Sequence, residues 1–397
     1  MQKVVFVTGT IRSEASWPLI FAKGLSKSNL DVTVISGYAN INVSDEYREH
    51  QLSNPLEILS PTLKIIRVGS RKKDPHSLAG RCIKYFQLTA AIAKELEKHK
   101  ADCYIFYSTP PFLGLIGGKM SKKGEKTIYI AQDLFPDTLF ALKPRIKNSA
   151  IGMALRKMER YIYDNNSTVV TISETMRKTI ISNSSRNDIN VIPNWASVDV
   201  LHNVRRENNS LFDEYGIDRE KFIISYAGSL GLFQNVDILL DVAKELKNYS
   251  QIEFVIFGNG VCKEALESRI NTECIHNVKI LPFQPKSRVS EVYSFGDLEY
   301  VSVNKGVMEM ACPHKICDIF SVGSPILAAI DSNCDIAYTI KEKQLGYVVE
   351  LSIDSIKHAI LEAFHSPNEL RMMGESSRQF AMSINFESQI EKYVQLI

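Results

Sequence analysis

A chain of 397 residues is too long for one ordinary core and predicts two domains. Its 45% apolar and 23% charged residues are those of a water-soluble globular protein, and seven scattered cysteines, with no CxxC pair and no zinc-type spacing, exclude a disulfide framework and point to a reducing cytoplasm. The formal net charge of +2 hides an asymmetry: residues 1–200 carry 28 Lys and Arg against 18 Asp and Glu, and residues 201–397 carry 19 against 27. A basic half attracts anionic lipid, phosphate or nucleic acid.

The chain begins with an apolar strand over 3–8, and no signal-peptide pattern precedes it. No apolar run is long enough for a transmembrane helix, and the most apolar segment, 104–118, is broken by Pro110 and Pro111. Short apolar runs at 4–7, 32–35, 65–68, 104–107, 127–130, 169–172 and 191–192 read as strands of a parallel sheet covered on both faces. Amphipathic helices are predicted over 18–27, 81–98, 111–122 and 149–164. Alternation of this kind gives βαβ units and a doubly wound sheet.

Residues 193–221 are polar and weakly periodic, and read as a linker. The alternation then restarts. Strands are predicted at 223–227, 254–257, 278–281, 298–303, 326–329 and 346–349, and helices at 236–248, 262–271 and 287–294. A further short helix follows Pro313 and stops at Gly323 and Pro325. The tail, 368–397, reads as one or two helices. The fold class is α/β, with two Rossmann-like domains facing across a cleft lined by strand-end loops.

Ligands of such sheets bind beyond the carboxyl ends of the strands, so the loops there carry the candidates. Gly228, Ser229, Leu230 and Gly231 follow one strand, and Gly258, Asn259 and Gly260 follow the next. Glycines permit a tight turn and close backbone approach to phosphate; a plain strand-to-helix turn is the alternative. Asn304, Lys305 and Gly306 form a third such loop. Lys315 and Asp318 lie three apart on one helix face, which is either a surface ion pair or a site. In a loop-lined cleft the ammonium would neutralise a diphosphate and the carboxylate would take ribose hydroxyls.

In the first half, Thr10, Arg12 and Glu14 follow the first strand, and Gln132, Asp133, Pro136 and Asp137 follow the fifth. Asp133 is either a site carboxylate or a helix N-cap. Ser173 also reads as a cap. G-x-S-x-G, the P-loop pattern, HExxH and G-x-G-x-x-G are all absent, and the eight histidines do not cluster. A metal site and a dehydrogenase are therefore not expected.

The ordered segments P-P-F-L-G-L-I-G-G (110–118), Q-D-L-F-P-D (132–137), M-E-R-Y-I-Y (158–163), T-I-S-E-T-M-R (171–177), V-I-P-N-W (191–195), Y-A-G-S-L-G (226–231), F-G-N-G (257–260) and P-H-K-I-C-D-I-F-S-V-G-S-P (313–325) span nearly the whole chain. Together they resemble the GT-B glycosyltransferases of retaining family 4, most of all the bacterial subgroup near the L-fucosamine transferases of O-antigen and capsule assembly. The resemblance implies an acceptor domain over 1–195, a donor domain over 196–375, and a C-terminal helix, about 376–397, packing back on the first. It implies retention of configuration, no metal or other cofactor, and a nucleotide-sugar donor, usually UDP-linked and carrying an N-acetylated or deoxy hexose such as N-acetyl-L-fucosamine. It also implies a polyprenyl-diphosphate-linked glycan acceptor in lipopolysaccharide or capsule synthesis, and a peripheral place on the inner membrane face, with no nucleic acid partner. The Phe112, Leu113, Leu115 and Ile116 cluster would lie in that interface.

The donor candidates are Gly228, Ser229, Gly231, Gly258, Asn259, Gly260, His314, Lys315, Ile316 and Asp318, of which Gly228, Gly231, Gly258, Gly260 and Asp318 fall on the family's donor positions. Thr10, Arg12, Glu14 and Pro136 are the acceptor candidates, Asn194 falls at the family's interdomain motif, and the catalytic candidates are Asp133, which follows the family's catalytic-region strand, and Lys315, which the residues themselves suggest. Ser229 and Gln234 stand where many members carry a cationic residue, which leaves Lys315 as the candidate partner of the diphosphate. A GT-B-fold UDP-sugar epimerase and a non-catalytic nucleotide-sugar binding protein are the alternatives.

Overall fold

The computed structural model describes residues 1–13, 16–39, 43–72 and 78–397. The chain forms two compact units. One comprises residues 1–193, 310–312 and 387–397; the other comprises 194–309 and 313–386.

The first unit is built on eight strands: β1 (Gln2–Thr10), β2 (Leu30–Gly37), β3 (Leu56–Ser60), β4 (Leu63–Val68), β5 (Cys103–Tyr107), β6 (Thr127–Ala131), β7 (Thr168–Thr171) and β8 (Ile189–Val191). Their order is β3-β4-β2-β1-β5-β6-β7-β8. Every pairing is parallel except β3 with β4. The buried runs of β1, β5 and β6 reflect coverage on both faces. Strand β3 was not apparent in the sequence. It is an edge strand with exposed Leu56 and Ile58, and it is tied in by the buried Arg67, which donates to Asn54 O at 2.8 Å and to Glu57.

The helix Leu113–Ser121 corrects one expectation. Of the four apolar residues expected in a lipid interface, Leu113 is fully buried and Phe112 is buried and stacked on Phe86 at 4.2 Å, so these two belong to the core, while Leu115 and Ile116 are half-buried against it. The cause is glycine spacing. A Cβ on Gly114 would lie 2.5 Å from Ile162, and one on Gly117 would lie 2.8 Å from Phe106, so this helix seats closely against its neighbours.

The second unit holds β9 (Phe222–Ser229), β10 (Ile252–Asn259), β11 (Val278–Leu281), β12 (Leu298–Ser302), β13 (Ile326–Ala329) and β14 (Gly346–Val349). Their order is β11-β10-β9-β12-β13-β14, all parallel. In each unit the order reverses beside the first strand, between β1 and β5 and between β9 and β12. Ligand crevices of parallel sheets form at such reversals.

The segment read as a linker is structural. Residues 194–221 belong to the second unit, and the helix Leu211–Tyr215 inserts Leu211 and Phe212, both fully buried. Phe212 stacks on Phe295 with centroids 4.1 Å apart. A polar run masked these two anchors. The tail also divides differently from the expected break near 376. Helix Pro367–Ser383 stays with the second unit, because Gly374 and Gly323 meet backbone to backbone and Arg378 donates to Val198 O and Leu201 O. The segment grouped with the first unit begins at Glu387.

Candidate functional site

In the second unit, the loops after β9 and β10 are laced together. Leu230 N donates to Asn259 O at 2.9 Å, and Cys262 N donates to Leu230 O at 3.0 Å. A Cβ on Gly258 would meet Gly228 O at 2.6 Å, and one on Gly260 would meet Leu230 O at 2.4 Å. Gly258 and Gly260 are therefore demanded by loop-on-loop packing, whatever ligand arrives. Asn259 turns its own carboxamide onto Gly260 N at 2.9 Å. Gly231 is less confined, since a Cβ there would meet only the mobile end of Gln234. Gly228, at φ +146°, has room: a Cβ there would lie 3.4 Å from Tyr226 Oη and 3.7 Å from Lys315 Nζ. The third loop closes the set, with Asn304 N on Phe233 O and Gly306 N on Asp331.

Lys315 is the first residue of helix Lys315–Val322, which ends on left-handed Gly323. Ile316, Ile319 and Phe320 are buried beneath it, and Ile316 gives its amide to Pro313 O, so Ile316 anchors the helix. That anchoring directs Lys315 back to β9. Its Nζ sits 4.0 Å from the Tyr226 ring centre and 3.5 Å from Ala227 O. Tyr226 Oη donates to Ser229 O at 2.6 Å and braces the exposed Ser229 turn. Burial pushes the Lys315 ammonium down to about 8, against the opposing pull of the Glu299 carboxylate.

Lys315 and Asp318 do not pair. Asp318 instead faces His314, with Nδ1 3.6 Å from its carboxylate, and accepts from Ser197 Oγ at 3.4 Å. Burial works against a charged His314, but the Asp318 carboxylate outweighs it and holds the imidazole above its ordinary value. Trp195 lies edge-on to that ring, and Asn194 O accepts from Cys317 Sγ at 3.6 Å. Two further residues belong here that sequence reasoning did not single out. Lys286, just beyond β11, lies close enough for Asp318 to support its charge, which burial depresses. Glu299, within β12, is fully buried on Ser225 and lies within the electrostatic reach of Lys315. Lys286 was legible as a cation at a strand end; Glu299 had no local signal.

In the first unit, the loop after β1 packs on the loop after β5: Gly9 N donates to Thr109 O at 2.8 Å, and a Cβ on Gly9 would lie 2.6 Å from Pro110. Thr10 is half-buried and Arg12 is exposed at this turn. Glu14 lies outside the described residues. Asp133 keeps solvent contact at the end of β6 but is crowded enough that burial raises its carboxyl. It does not cap a helix. Its backbone bridges to Ala311, while Leu134 N donates to Met310 O at 2.8 Å. Pro136 is buried and precedes the helix Asp137–Leu142. Asp137 is structural: it accepts from Arg156 Nη1 at 2.7 Å, and Arg156 also pairs with the buried Glu159 at 2.7 Å. Ser173 is a cap, accepting from Met176 N at 3.1 Å.

Tyr107, at the end of β5, joins these elements. Its ring lies 5.1 Å from Trp17, and its hydroxyl, held protonated by burial, is within the electrostatic reach of both Asp133 and Arg12. A tyrosine ending an apolar run carried no sign of this in the sequence. Among the described residues no group of three His, Cys, Asp or Glu side chains could hold a metal, and no helix is long and apolar enough to cross a membrane.

Residues 207–380 match the family model for glycosyl transferases group 1, and residues 19–200 match that for glycosyltransferase family 4. The chain is 25% identical over 204 residues to the putative colanic acid biosynthesis glycosyl transferase WcaI of Escherichia coli (strain K12), covering 50% of each. It is 22% identical over 226 residues to the probable glycosyltransferase WbjE of Pseudomonas aeruginosa, covering 56% of each. The matched stretch thus spans about half the length of these relatives. Anabaena HepE, solved in complex with UDP-glucose, superposes over 100% of both chains with a TM-score of 0.71 at 12% identity. The fold is GT-B.

Proposed function

We propose, from the premise that this chain is a glycosyltransferase of the group 1 and family 4 type, that it moves a hexose from a UDP-linked donor to a lipid-linked oligosaccharide in surface polysaccharide synthesis. The sugar is an N-acetylated or deoxy hexose, with N-acetyl-L-fucosamine the first candidate. The observation that carries the reading is the approach of Lys315 Nζ to Ala227 O and Gly228, at the sheet reversal where a diphosphate would enter. The name of WcaI, a putative colanic acid biosynthesis glycosyl transferase, supports the polysaccharide part, and the UDP-glucose bound to HepE supports the UDP part.

In this reading the donor half is the loop of Gly228, Ser229 and Gly231 with Lys315, His314 and Asp318. The leaving diphosphate gathers charge as its bond to the sugar breaks. Lys315 stabilises that charge from a site already oriented toward it, which is where electrostatic catalysis gains most. The Leu230 amide is committed to Asn259 O, so the lysine carries much of this work. Asp318, steadied by His314 and Ser197, takes the ribose hydroxyls. The acceptor hydroxyl attacks on the face the diphosphate leaves, with retention, and a diphosphate oxygen takes its proton. Asp133 orients the acceptor, with Arg12 and Thr10 at the neighbouring strand end. No residue of this set needs a metal ion or cofactor.

The acceptor half sits on the inner membrane face. Leu142, Ile151 and Met153 are 54%, 66% and 60% exposed, and the exposed Lys143, Arg145, Lys147 and Lys157 are interspersed with them. Apolar tips set among cations suit an anionic bilayer surface.

A thermal-shift series with UDP, GDP, dTDP and CDP tests the donor: UDP should raise the melting temperature most. UDP-sugar incubated without acceptor should stay unchanged; interconversion of the sugar would instead identify an epimerase.

A further inference from the structure

Arg378 projects from helix Pro367–Ser383, is half-buried, and directs its guanidinium at three backbone carbonyls. It donates to Val198 O at 3.1 Å, to Leu201 O at 3.0 Å and to Ser321 O. Ser321 O lies in the last turn of helix Lys315–Val322, where carbonyls lack partners within the helix and a cation is favoured. A guanidinium carries several N–H groups in one rigid plane, so a single side chain fastens two segments of chain at once.

The fastened segment is 194–201. Ala196 N donates to Ile384 O at 2.8 Å, and Ser197 O accepts from Val200 N at 3.0 Å and Leu201 N at 2.8 Å, which folds the segment into a turn. Ser197 turns both of its donors toward helix Lys315–Val322: its amide donates to Ser321 Oγ at 2.9 Å, and its hydroxyl to Asp318 Oδ1 at 3.4 Å. Ser321 is fully buried and donates its own hydroxyl to Cys317 O at 2.7 Å. The second oxygen of Asp318 faces His314 Nδ1 at 3.6 Å. Direct contacts therefore run from Arg378 through the turn at 197–201 and Ser197 to Asp318. The Asp318 side chain is held at both oxygens yet stays 22% exposed, which leaves carboxylate lone pairs for a ligand.

We propose that Arg378 and Ser197 make this protein selective for donors carried on a ribonucleoside diphosphate. Both are positioning residues that act through Asp318: Arg378 fixes the turn, and Ser197 holds the carboxylate in the one orientation that offers both oxygens to vicinal hydroxyls. This selectivity rests on the proposed placing of the donor ribose at Asp318. A carboxylate already held in that orientation loses little freedom on binding, so its hydrogen bonds to a cis-diol are gained nearly in full. A 2′-deoxyribose supplies only one of the hydroxyls. One carboxylate oxygen then loses water without gaining a donor, which is the costly case for a charged group. A loosely held Asp318 would rotate to serve the remaining hydroxyl and would discriminate less. Sugars linked to a 2′-deoxynucleoside diphosphate such as dTDP are therefore poor donors for this site, and those linked to UDP or another ribonucleoside diphosphate are good ones.

Calorimetric titration with UDP and with 2′-deoxy-UDP, which differ by a single oxygen atom, tests the selectivity. The wild type should bind 2′-deoxy-UDP at least about tenfold more weakly. In Ser197→Ala, UDP should weaken about fivefold and 2′-deoxy-UDP by less than about twofold, so the preference shrinks. Arg378→Lys, whose ammonium cannot span the three carbonyls, should shrink it in the same way. Ser197→Thr, which keeps the hydroxyl, should restore it. General loss of structure would weaken both nucleotides alike. Equal weakening of the two in Ser197→Ala, or an unchanged preference, overturns the proposal; a preference lost in Ser197→Ala but kept in Arg378→Lys removes Arg378 from it. The fastening is read without ligand. Amide hydrogen exchange at Ser197, Val200 and Leu201 should be about tenfold faster in Arg378→Lys, with exchange in β9 and β10 unchanged. Unchanged rates at these amides overturn the role of Arg378. A wild type that binds UDP and 2′-deoxy-UDP equally overturns the ribose placement and the selectivity together. One that binds neither overturns the donor reading and the selectivity with it, and leaves hydrogen exchange to decide what Arg378 fastens.

Discussion

Lys315 Nζ lies 4.0 Å from the centre of the Tyr226 ring, and the hydroxyl of that same ring holds Ser229 O at 2.6 Å. One aromatic residue therefore fixes both a cation and the turn of the loop that the cation faces. A cation over an aromatic face is stabilised by the ring quadrupole, and more so where water is scarce. The pair fixes the geometry of the loop proposed to hold the donor.

Lys315→Ala should lower kcat for sugar transfer by at least about tenfold, which needs only ~1.4 kcal/mol of lost transition-state stabilisation. In the proposed role the ammonium is the active form, and burial lowers it to about 8 from its ordinary 10.5. The wild-type kcat/KM should therefore decline as pH rises through about 8, since that ratio reports the free enzyme. Near-normal turnover in Lys315→Ala at neutral pH would remove the lysine from the mechanism.

Gly260→Ala and Gly231→Ala should differ sharply. The first places a Cβ 2.4 Å from Leu230 O on a residue at φ +155°, and backbone cannot step aside. A cost of about 2–4 kcal/mol is expected, read as a lowered denaturation midpoint. The second meets only the end of Gln234 and should cost under ~1 kcal/mol. Equal losses would mean the two loops are not laced as described.

Phe212→Ala tests the segment that looked like a linker. Phe212 is fully buried against Phe295, with the Arg206 and Arg219 guanidinium groups each 5.4 Å from its ring. Its removal should destabilise the second unit by about 3–5 kcal/mol. A true linker would show almost no change in chemical denaturation.

Membrane association should depend on the exposed basic and apolar side chains between Leu142 and Lys157. Replacing Lys143, Arg145 and Lys147 together by Glu should weaken sedimentation with phosphatidylglycerol vesicles by roughly 100-fold or more, at ~1 kcal/mol per lost cation. Ile151→Ser with Met153→Ser should weaken it without changing its salt dependence. Equal binding to phosphatidylglycerol vesicles by wild type and charge variant would refute an electrostatic contribution.

Asp133→Asn keeps the shape of the β6 loop, which its backbone bridge to Ala311 maintains. If the carboxylate orients the acceptor, this change should raise the acceptor KM or lower kcat while leaving UDP affinity intact. A loss confined to UDP binding would reassign Asp133.

The sequence by itself determined what depends on local pattern. Apolar runs of strand length and 3.6-residue periodicity located most of the parallel strands and the longer helices, and glycines with Lys315 and Asp318 marked the strand-end loops. These are properties of neighbours in the chain. The edge strand β3, whose Leu56 and Ile58 remain exposed, gave no such pattern, and neither did Leu211 and Phe212 within a polar stretch. Tertiary structure alone decided what distant residues do to one another. It separated Lys315 from Asp318 and gave Asp318 to His314 and Ser197. It buried Phe112 and Leu113 where glycines let helices meet, and it set Glu299 beside Ser225 across β9 and β12. The physical reason is common to these cases: burial, field and close approach are set by which strands and loops become neighbours, and β9 meets β12 only after some seventy residues of intervening chain have folded between them.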